Sequence, residues 1–313
     1  MLKTASIFVT GGAGTLGRAI AKRRKEEGWT GRFTVYSTDE HKHALMRRTY
    51  PDVQYVQGDI RNPETLYNAM VGHDICIHAA AVKVIPASEY WSIDTFDVDV
   101  NGSLNVFACA ARANVEHVLS ISTDKACHPA NAYGASKMMM EKAAQEYARV
   151  LEIETEYHLV RYGNVIESTG SVVEAWRKAV ANGEAIRITD PEMTRFWLSP
   201  SQAVQYVIDA FEFESGQIYI PWMPALSIGK LAEYTTGITK TDPEFIRIPL
   251  RPGEKMHETL LTFDESLYAT NGKGYYILNP STYERVVESF GEPYSSDMAR
   301  ELTKDELMEL LDD

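Results

Sequence analysis

A chain of 313 residues that is 44% apolar and 24% charged can bury a large core unaided, and its length suggests about two domains at roughly 150 residues each. The formal charge of -13 excludes a broad surface for nucleic acid or an anionic membrane, because such surfaces collect Lys and Arg; any anionic ligand must be met by local basic groups. Cys76, Cys109 and Cys127 show no C-x-x-C or metal-type spacing, so a reducing, cytoplasmic setting is expected, with no disulfide framework and no metal. The apolar run Ala5–Val9 is too short for a signal-peptide core, and no stretch approaches the about 20 apolar residues of a membrane span.

In chain order, Ser6–Thr10, Arg32–Tyr36, Val53–Gln57, Asp74–His78, Val118–Ser122 and Tyr157–Arg161 read as strands. Leu16–Glu27, His41–Arg48, Pro63–Met70, Val98–Ala113 and Tyr133–Val150 read as the helices between them. Apolar strands alternating with helices predict an α/β fold, a Rossmann-type doubly wound parallel sheet covered on both faces. Beyond about Val165 the alternation fades into the helices Val172–Asn182, Pro200–Glu214, Ile228–Gly237 and Asp297–Leu311 among short strands. Residues 1–165 are therefore expected to bind a dinucleotide, and residues 166–313 to form a smaller α+β substrate-binding lobe with a C-terminal helix. In that helix Thr303-x-x-Glu306 predicts a capping box, with Leu307, Leu310 and Leu311 packing on the body.

Thr10-Gly11-Gly12-Ala13-Gly14-Thr15-Leu16-Gly17 lies between the first strand and first helix, where a phosphate-binding turn belongs. Gly11 permits the tight turn, Gly14 close approach of a pyrophosphate, and Gly17 helix–strand packing, with the phosphates at the helix start beside Thr15 and Leu16. After the third strand, Asp59 can accept from an adenine amino group and Ile60 can pack on the ring; after the fourth, small Ala79 and Ala80 leave room for a nicotinamide ribose. The second strand runs into Ser37-Thr38-Asp39, and Ser37 with Lys42 is suited to a 2′-phosphate, which favours NADP over the alternative NAD. Asp39 either reaches a ribose or caps the next helix.

Tyr133-Gly134-Ala135-Ser136-Lys137 opens a helix with Tyr133 and Lys137 one turn apart on one face. An ammonium near the phenol favours phenolate, so Tyr133 can take a hydroxyl proton while hydride leaves the same carbon for a nicotinamide. Cys127, beside this stretch, reads as a small buried side chain.

These stretches, with Ser122-Thr123-Asp124-Lys125-Ala126, Arg161-Tyr162-Gly163-Asn164-Val165, Thr194-Arg195-Phe196-Trp197 and Arg251-Pro252-Gly253-Glu254-Lys255, resemble the extended short-chain dehydrogenase/reductases from about Ser6 to about Pro280. Within that family the chain is similar to the soluble inverting UDP-N-acetylglucosamine 4,6-dehydratases of surface-glycan and flagellin-sugar synthesis. The resemblance implies a tightly bound, recycled cofactor and the following roles. Tyr133 removes the proton of the sugar's 4-hydroxyl, and Lys137 holds the cofactor ribose and lowers the tyrosine pKa. Lys125 abstracts the carbon-5 proton, Asp124 protonates the departing 6-hydroxyl, and Thr123 hydrogen-bonds the oxygen at carbon 4. A lysine base must be neutral, which needs its pKa to fall from about 10.4 to roughly 7–8. The other reading of Asp124 and Lys125 is a plain ion pair, or a permanently cationic Lys125 that binds substrate.

For the UDP end, Arg195 and Arg251 are candidates for the two phosphates, since a planar guanidinium suits bidentate contact; Lys83, Asn164 and Glu254 complete the expected substrate set. Thr38 stands where the family has arginine, and the loop Glu167-Ser168-Thr169-Gly170 lacks a basic residue that relatives often carry. Competing readings are a UDP-hexose 4-epimerase, which needs Tyr133 and Lys137 alone, and a catalytically silent dinucleotide sensor. The resemblance also implies a homo-oligomer paired through Val98–Ala113 and Tyr133–Val150.

Overall fold

Short runs of β-branched and aromatic residues, too apolar to face water on either side, become parallel strands at the centre of the molecule. A computed structural model describes residues 1–149, 154–166, 172–279 and 291–313. Its strands β1 (Ile7–Thr10), β2 (Phe33–Ser37), β3 (Gln54–Gln57), β4 (Ile75–His78), β5 (His117–Thr123) and β6 (Glu156–Tyr162) lie in the order β3-β2-β1-β4-β5-β6, all parallel. Every residue of β1 and β4 is buried, as expected for strands covered on both faces.

Helices α1 (Thr15–Glu27), α2 (Glu40–Thr49) and α3 (Pro63–Met70) match the expected segments to within a residue or so. Two short helices that periodicity did not reveal, α4 (Ile85–Tyr90) and α5 (Ser92–Phe96), follow β4. The helix expected over Val98–Ala113 begins instead as a π-helical turn, Asp97–Asn101, and continues as α6 (Gly102–Arg112). The wider turn carries a buried carboxylate, Asp99, whose backbone carbonyl accepts from the buried Ser103 hydroxyl at 2.5 Å. α7 (Ala132–Tyr147) carries the Tyr-x-x-x-Lys pair, capped by Asn131, whose side chain accepts from the Gly134 N–H at 2.8 Å.

The sheet does not stop at residue 165. Ile218–Pro221 adds parallel to β6, and Tyr275–Leu278 and Ala269–Asn271 follow antiparallel, giving nine strands. The boundary expected at 165/166 therefore does not part the sheet, which the second half of the chain completes. Part of that half forms a separate apolar cluster beginning at Ile166 and built on Trp176, Trp197, Leu226, Leu231 and Leu307. Its last helix starts at Lys304 rather than Asp297, because the Thr303 and Glu306 capping box sets the first turn there, and Leu307, Leu310 and Leu311 are buried as expected. The loop Glu167–Gly170 lies outside the described residues.

Arg161, at the end of β6 and 1% exposed, ties these parts together. Its guanidinium donates to both Glu141 carboxylate oxygens on α7 at 2.9 and 2.7 Å, to Glu265 at 3.1 Å through two nitrogens, and to the Leu260 carbonyl at 2.8 Å. Burial alone would raise the Glu265 carboxyl, but the Arg161 charge overrides it and holds it at about 2. Arg161→Ala strands a buried carboxylate on α7, so urea unfolding should show a loss of about 3–5 kcal/mol. Because Glu265 is depressed, its share of stability is present above the unfolded carboxylate value of about 4.3 and fades as pH falls towards about 2. A loss below about 1 kcal/mol, the range of surface ion pairs, would show that the network is not a structural tie.

Candidate active site

The strand order reverses between β1 and β4, so their C-terminal ends open a crevice where α/β sheets bind ligands. Gly11 has φ of +64°, and a Cβ there would lie 2.7 Å from the Ala80 backbone nitrogen; the two loops touch, and side chains are excluded from the contact. Gly14 is the N-cap of α1 without any side-chain cap, and Thr15, Leu16 and Gly17 form the first turn, whose N–H groups suit a phosphate. Beneath them Thr10 Oγ1 meets His78 Nδ1 at 2.8 Å, and His78 Nε2 meets Ser103 Oγ at 2.8 Å. Burial first, then Lys137, keeps this histidine neutral, its pKa held at about 3. The floor under Ala79 and Ala80 is thus rigid and uncharged.

At the far end the expectations divide. Asp39 caps α2, accepting from the Lys42 N–H at 2.9 Å while its carboxylate pairs with Lys42 Nζ at 2.8 Å. The capping alternative is the one observed, and it neutralises Asp39. Ser37 Oγ meets His43 Nε2 at 2.7 Å. Asp59 is gripped by Arg61, which lowers its carboxyl, and Ile60 is 4% exposed against Gly102 of α6 rather than presented to an adenine. Lys83, expected from sequence to meet the substrate, feels the charges of Lys42 and Arg18. Partial desolvation, then those two charges, hold its ammonium below the ordinary lysine range.

The reacting centre is built where β5 ends. A Cβ on Gly134 would sit 2.2 Å from the Lys125 carbonyl oxygen, so only glycine lets the start of α7 press against the turn Asp124–Ala126. That approach brings two motifs, ten or so residues apart, to one place. Thr123 Oγ1 donates to Asp124 Oδ1 at 2.7 Å, and its hydroxyl acts to lower the Tyr133 phenol. Lys125 Nζ donates to Asp124 Oδ1 at 2.9 Å and to Asn164 Oδ1 at 3.4 Å, with Glu258 Oε1 at 3.6 Å. Asp124 is fully buried, and its Oδ2 has no hydrogen-bond partner among the described residues.

Two electrostatic expectations are overturned. Burial lowers Lys125, but Asp124 and Glu258 outweigh it and raise its pKa, so the free site holds a cation in an ion pair rather than a neutral amine. Tyr133 is not depressed by Lys137: burial, then Asp99 and Asp124, push its phenol above the ordinary range, and the Thr123 hydrogen bond alone opposes them. Lys137 lies at 3.0 Å from Met140 Sδ, and burial pulls its ammonium down to about 8 against the charges of Asp99 and Glu141.

The UDP set also separates. Asn164 belongs to the Lys125 cluster. Arg195 is 7% exposed, and its guanidinium is taken up by the carbonyls of Thr194 at 2.7 Å, Lys255 at 2.9 Å and Met256 at 3.1 Å, so it fastens the loop rather than waiting for phosphate. Glu254 accepts from the Arg251 N–H at 3.1 Å and shapes the same loop, while Arg251 is exposed and its guanidinium has no partner among the described residues. Sequence reasoning missed Asp99 and Glu258. Asp99 takes the Val82 N–H at 2.7 Å and the Ser136 hydroxyl at 3.0 Å, and acts electrostatically on both Tyr133 and Lys137. Its signal was a carboxylate on the apolar face of a predicted helix. Glu258, 3% exposed, gave none, since His257-Glu258 continues an ordinary loop.

Fold and site together are those of the extended short-chain dehydrogenase/reductases: the 3-2-1-4-5-6 sheet, the glycine turn at its switch point and the Tyr-x-x-x-Lys helix. The chain belongs to the polysaccharide biosynthesis protein family, whose sequence profile matches residues 7–280. It is 35% identical to an inverting UDP-N-acetylglucosamine 4,6-dehydratase of Campylobacter jejuni over 90% of this chain and 84% of the relative. It is also 35% identical to a UDP-glucose 4-epimerase of Rickettsia conorii, over 98% and 95%. The crystal structure of Pen from Bacillus thuringiensis superposes with a TM-score of 0.91 at 30% identity, covering 99% of this chain and 98% of that one.

Glu258→Gln removes an anion that raises Lys125, so the Lys125 ammonium should titrate at lower pH than in the parent protein. Lysine-side-chain NMR, assigned with Lys125→Ala, reads the midpoint directly. An unchanged midpoint would assign the shift to Asp124 alone.

Proposed function

We propose that this chain is a cytoplasmic UDP-N-acetylglucosamine 4,6-dehydratase that inverts carbon 5, using a nicotinamide dinucleotide for surface-glycan nucleotide-sugar synthesis. The observation that carries this reading is the Asp124–Lys125 pair at 2.9 Å, on a strand end whose Thr123 and Asp124 both act electrostatically on Tyr133. Oxidation at carbon 4 needs a tyrosine base; elimination across carbons 5 and 6 needs a second base and an acid, and here they stand side by side.

The uncapped start of α1, the Gly11–Ala80 contact and Lys137 fit the dinucleotide and would hold it. When bound and oxidised, it supplies a hydride acceptor for carbon 4, a donor back to carbon 6 and a positive charge that Tyr133 otherwise lacks. Tyr133 takes the 4-hydroxyl proton. The resulting ketone acidifies the carbon-5 hydrogen, which Lys125 removes as Asp124 protonates the leaving 6-hydroxyl. For both roles the ion pair must first pass its proton from Lys125 to Asp124. In water that transfer costs about 9 kcal/mol, from model values of about 10.4 and 3.9. Burial of both groups disfavours separated charges and so works against the ion pair, while the charge of Glu258 favours the lysine cation.

NADP is the proposed cofactor. Asp39 is occupied as a cap and paired with Lys42, and Arg18, Lys42 and Lys83 gather positive charge beside it. Lys42→Ala, which removes one cation and exposes the Asp39 carboxylate, should shift the ratio of binding constants towards NAD. An unchanged ratio by calorimetry would reject this assignment. Self-association through α6 and α7 is supported by exposed apolar residues there, Leu104 and Met139, and by Tyr90, Trp91 and Ile93 beside them. Among the described residues no helix is long and apolar enough to cross a membrane.

The second reading, a UDP-hexose 4-epimerase, draws on the Rickettsia relative, but epimerisation leaves the Asp124–Lys125 pair without work. Turnover of UDP-N-acetylglucosamine in deuterated water separates the two. The proposed enzyme yields a 4-keto-6-deoxy product, one water lighter, with an inverted and deuterated carbon 5. Lys125→Ala should lower turnover by about 10²–10⁴-fold. A product isomeric with substrate and free of deuterium would establish the epimerase instead.

A further inference from the structure

Away from the crevice, at the opposite edge of the sheet, three ligand-type side chains meet. His117 opens β5 and Glu156 opens β6; these two residues are direct partners in the parallel ladder, and His158 follows two residues on. The period of two along a strand puts all three side chains on one face. His117 Nδ1 lies 3.2 Å from His158 Nε2 and 3.2 Å from Glu156 Oε2, and His158 Nε2 lies 3.4 Å from the same oxygen.

This near-equilateral triangle is the observation that matters. Three ligand-type atoms converge on one point: two imidazole nitrogens, each donor or acceptor according to its tautomer, and one carboxylate oxygen. A tetrahedral ion bound at about 2.0–2.2 Å to His nitrogens and a carboxylate oxygen sets its ligands about 3.3–3.5 Å apart, which satisfies all three. The ring of Phe211 closes the site edge-on, with centroids 6.0 Å from His117 and 5.3 Å from His158. Glu156 is 53% exposed, which leaves a route for the ion and room for a water as fourth ligand.

We infer that His117, Glu156 and His158 form a divalent-metal site of the zinc class. It is distinct from the reacting centre, because β5 runs six residues from His117 to Thr123, about 20 Å at 3.3 Å per residue. The ion clamps together the starts of the two strands whose far ends carry Thr123 and Arg161. Its action is on strand pairing, with no part in the redox or elimination steps.

The test uses tag-free, chelator-stripped full-length protein. Equilibrium dialysis with Zn²⁺ followed by elemental analysis should give one ion per chain, and Co²⁺ should develop the intense visible absorption of a tetrahedral site. Zn²⁺ should raise the melting temperature. His117→Gln and Glu156→Gln, both at the solvent edge and checked for folding by circular dichroism, should each weaken binding by more than about tenfold and remove the thermal shift. Absence of stoichiometric binding in the parent protein overturns the inference. So does binding that both folded variants retain.

Discussion

The structure turns on a guanidinium that water cannot reach. Arg161 is fixed in β6, yet its partners stand on α7 and on the segment around Leu260 and Glu265, so one buried cation sets how three parts of the chain meet. Such a pair is a weak source of net stability, because desolvating the charges offsets most of their attraction. Its effect is on placement. Glu141 also takes the Ser122 hydroxyl at 2.5 Å, so α7 is referenced both to β6 and to the end of β5. Tyr133 and Lys137 belong to that helix and Asp124 and Lys125 to that strand end; their spacing follows from where Glu141 is held.

On that frame the reacting centre is a balance of charges rather than a set of separately tuned groups. Asp99 acts on both Tyr133 and Lys137, and Asp124 on both Tyr133 and Lys125. Each carboxylate that steadies a lysine therefore works against phenolate at Tyr133. The free protein settles this conflict with a neutral tyrosine and a charged lysine. A positive charge arriving beside Tyr133 would reverse both preferences at once, which couples the protein's acid–base chemistry to the presence of an oxidised cofactor.

The sheet order, the glycine turn and the Tyr-x-x-x-Lys helix were legible in the sequence because each is a local pattern: apolar runs of strand length, glycines at a strand–helix junction, a pair one helical turn apart. Errors gathered where distant partners decide. Arg195 read as a phosphate ligand because its residue type allows it, but the carbonyls that take it up come from residues 255 and 256. That the sheet continues past residue 165 was hidden for a similar reason, since Ile218–Pro221 finds its partner in β6.

By itself, then, the sequence determined the class of fold, the cofactor crevice and the residue types for oxidation and elimination, since those depend on short-range periodicity and on side-chain chemistry. Tertiary structure alone decided the protonation of Lys125 and Tyr133, and the meeting of His117 with His158, 41 residues apart. Ionisation and ligand geometry depend on what lies within a few ångströms, and only the folded chain brings those neighbours together.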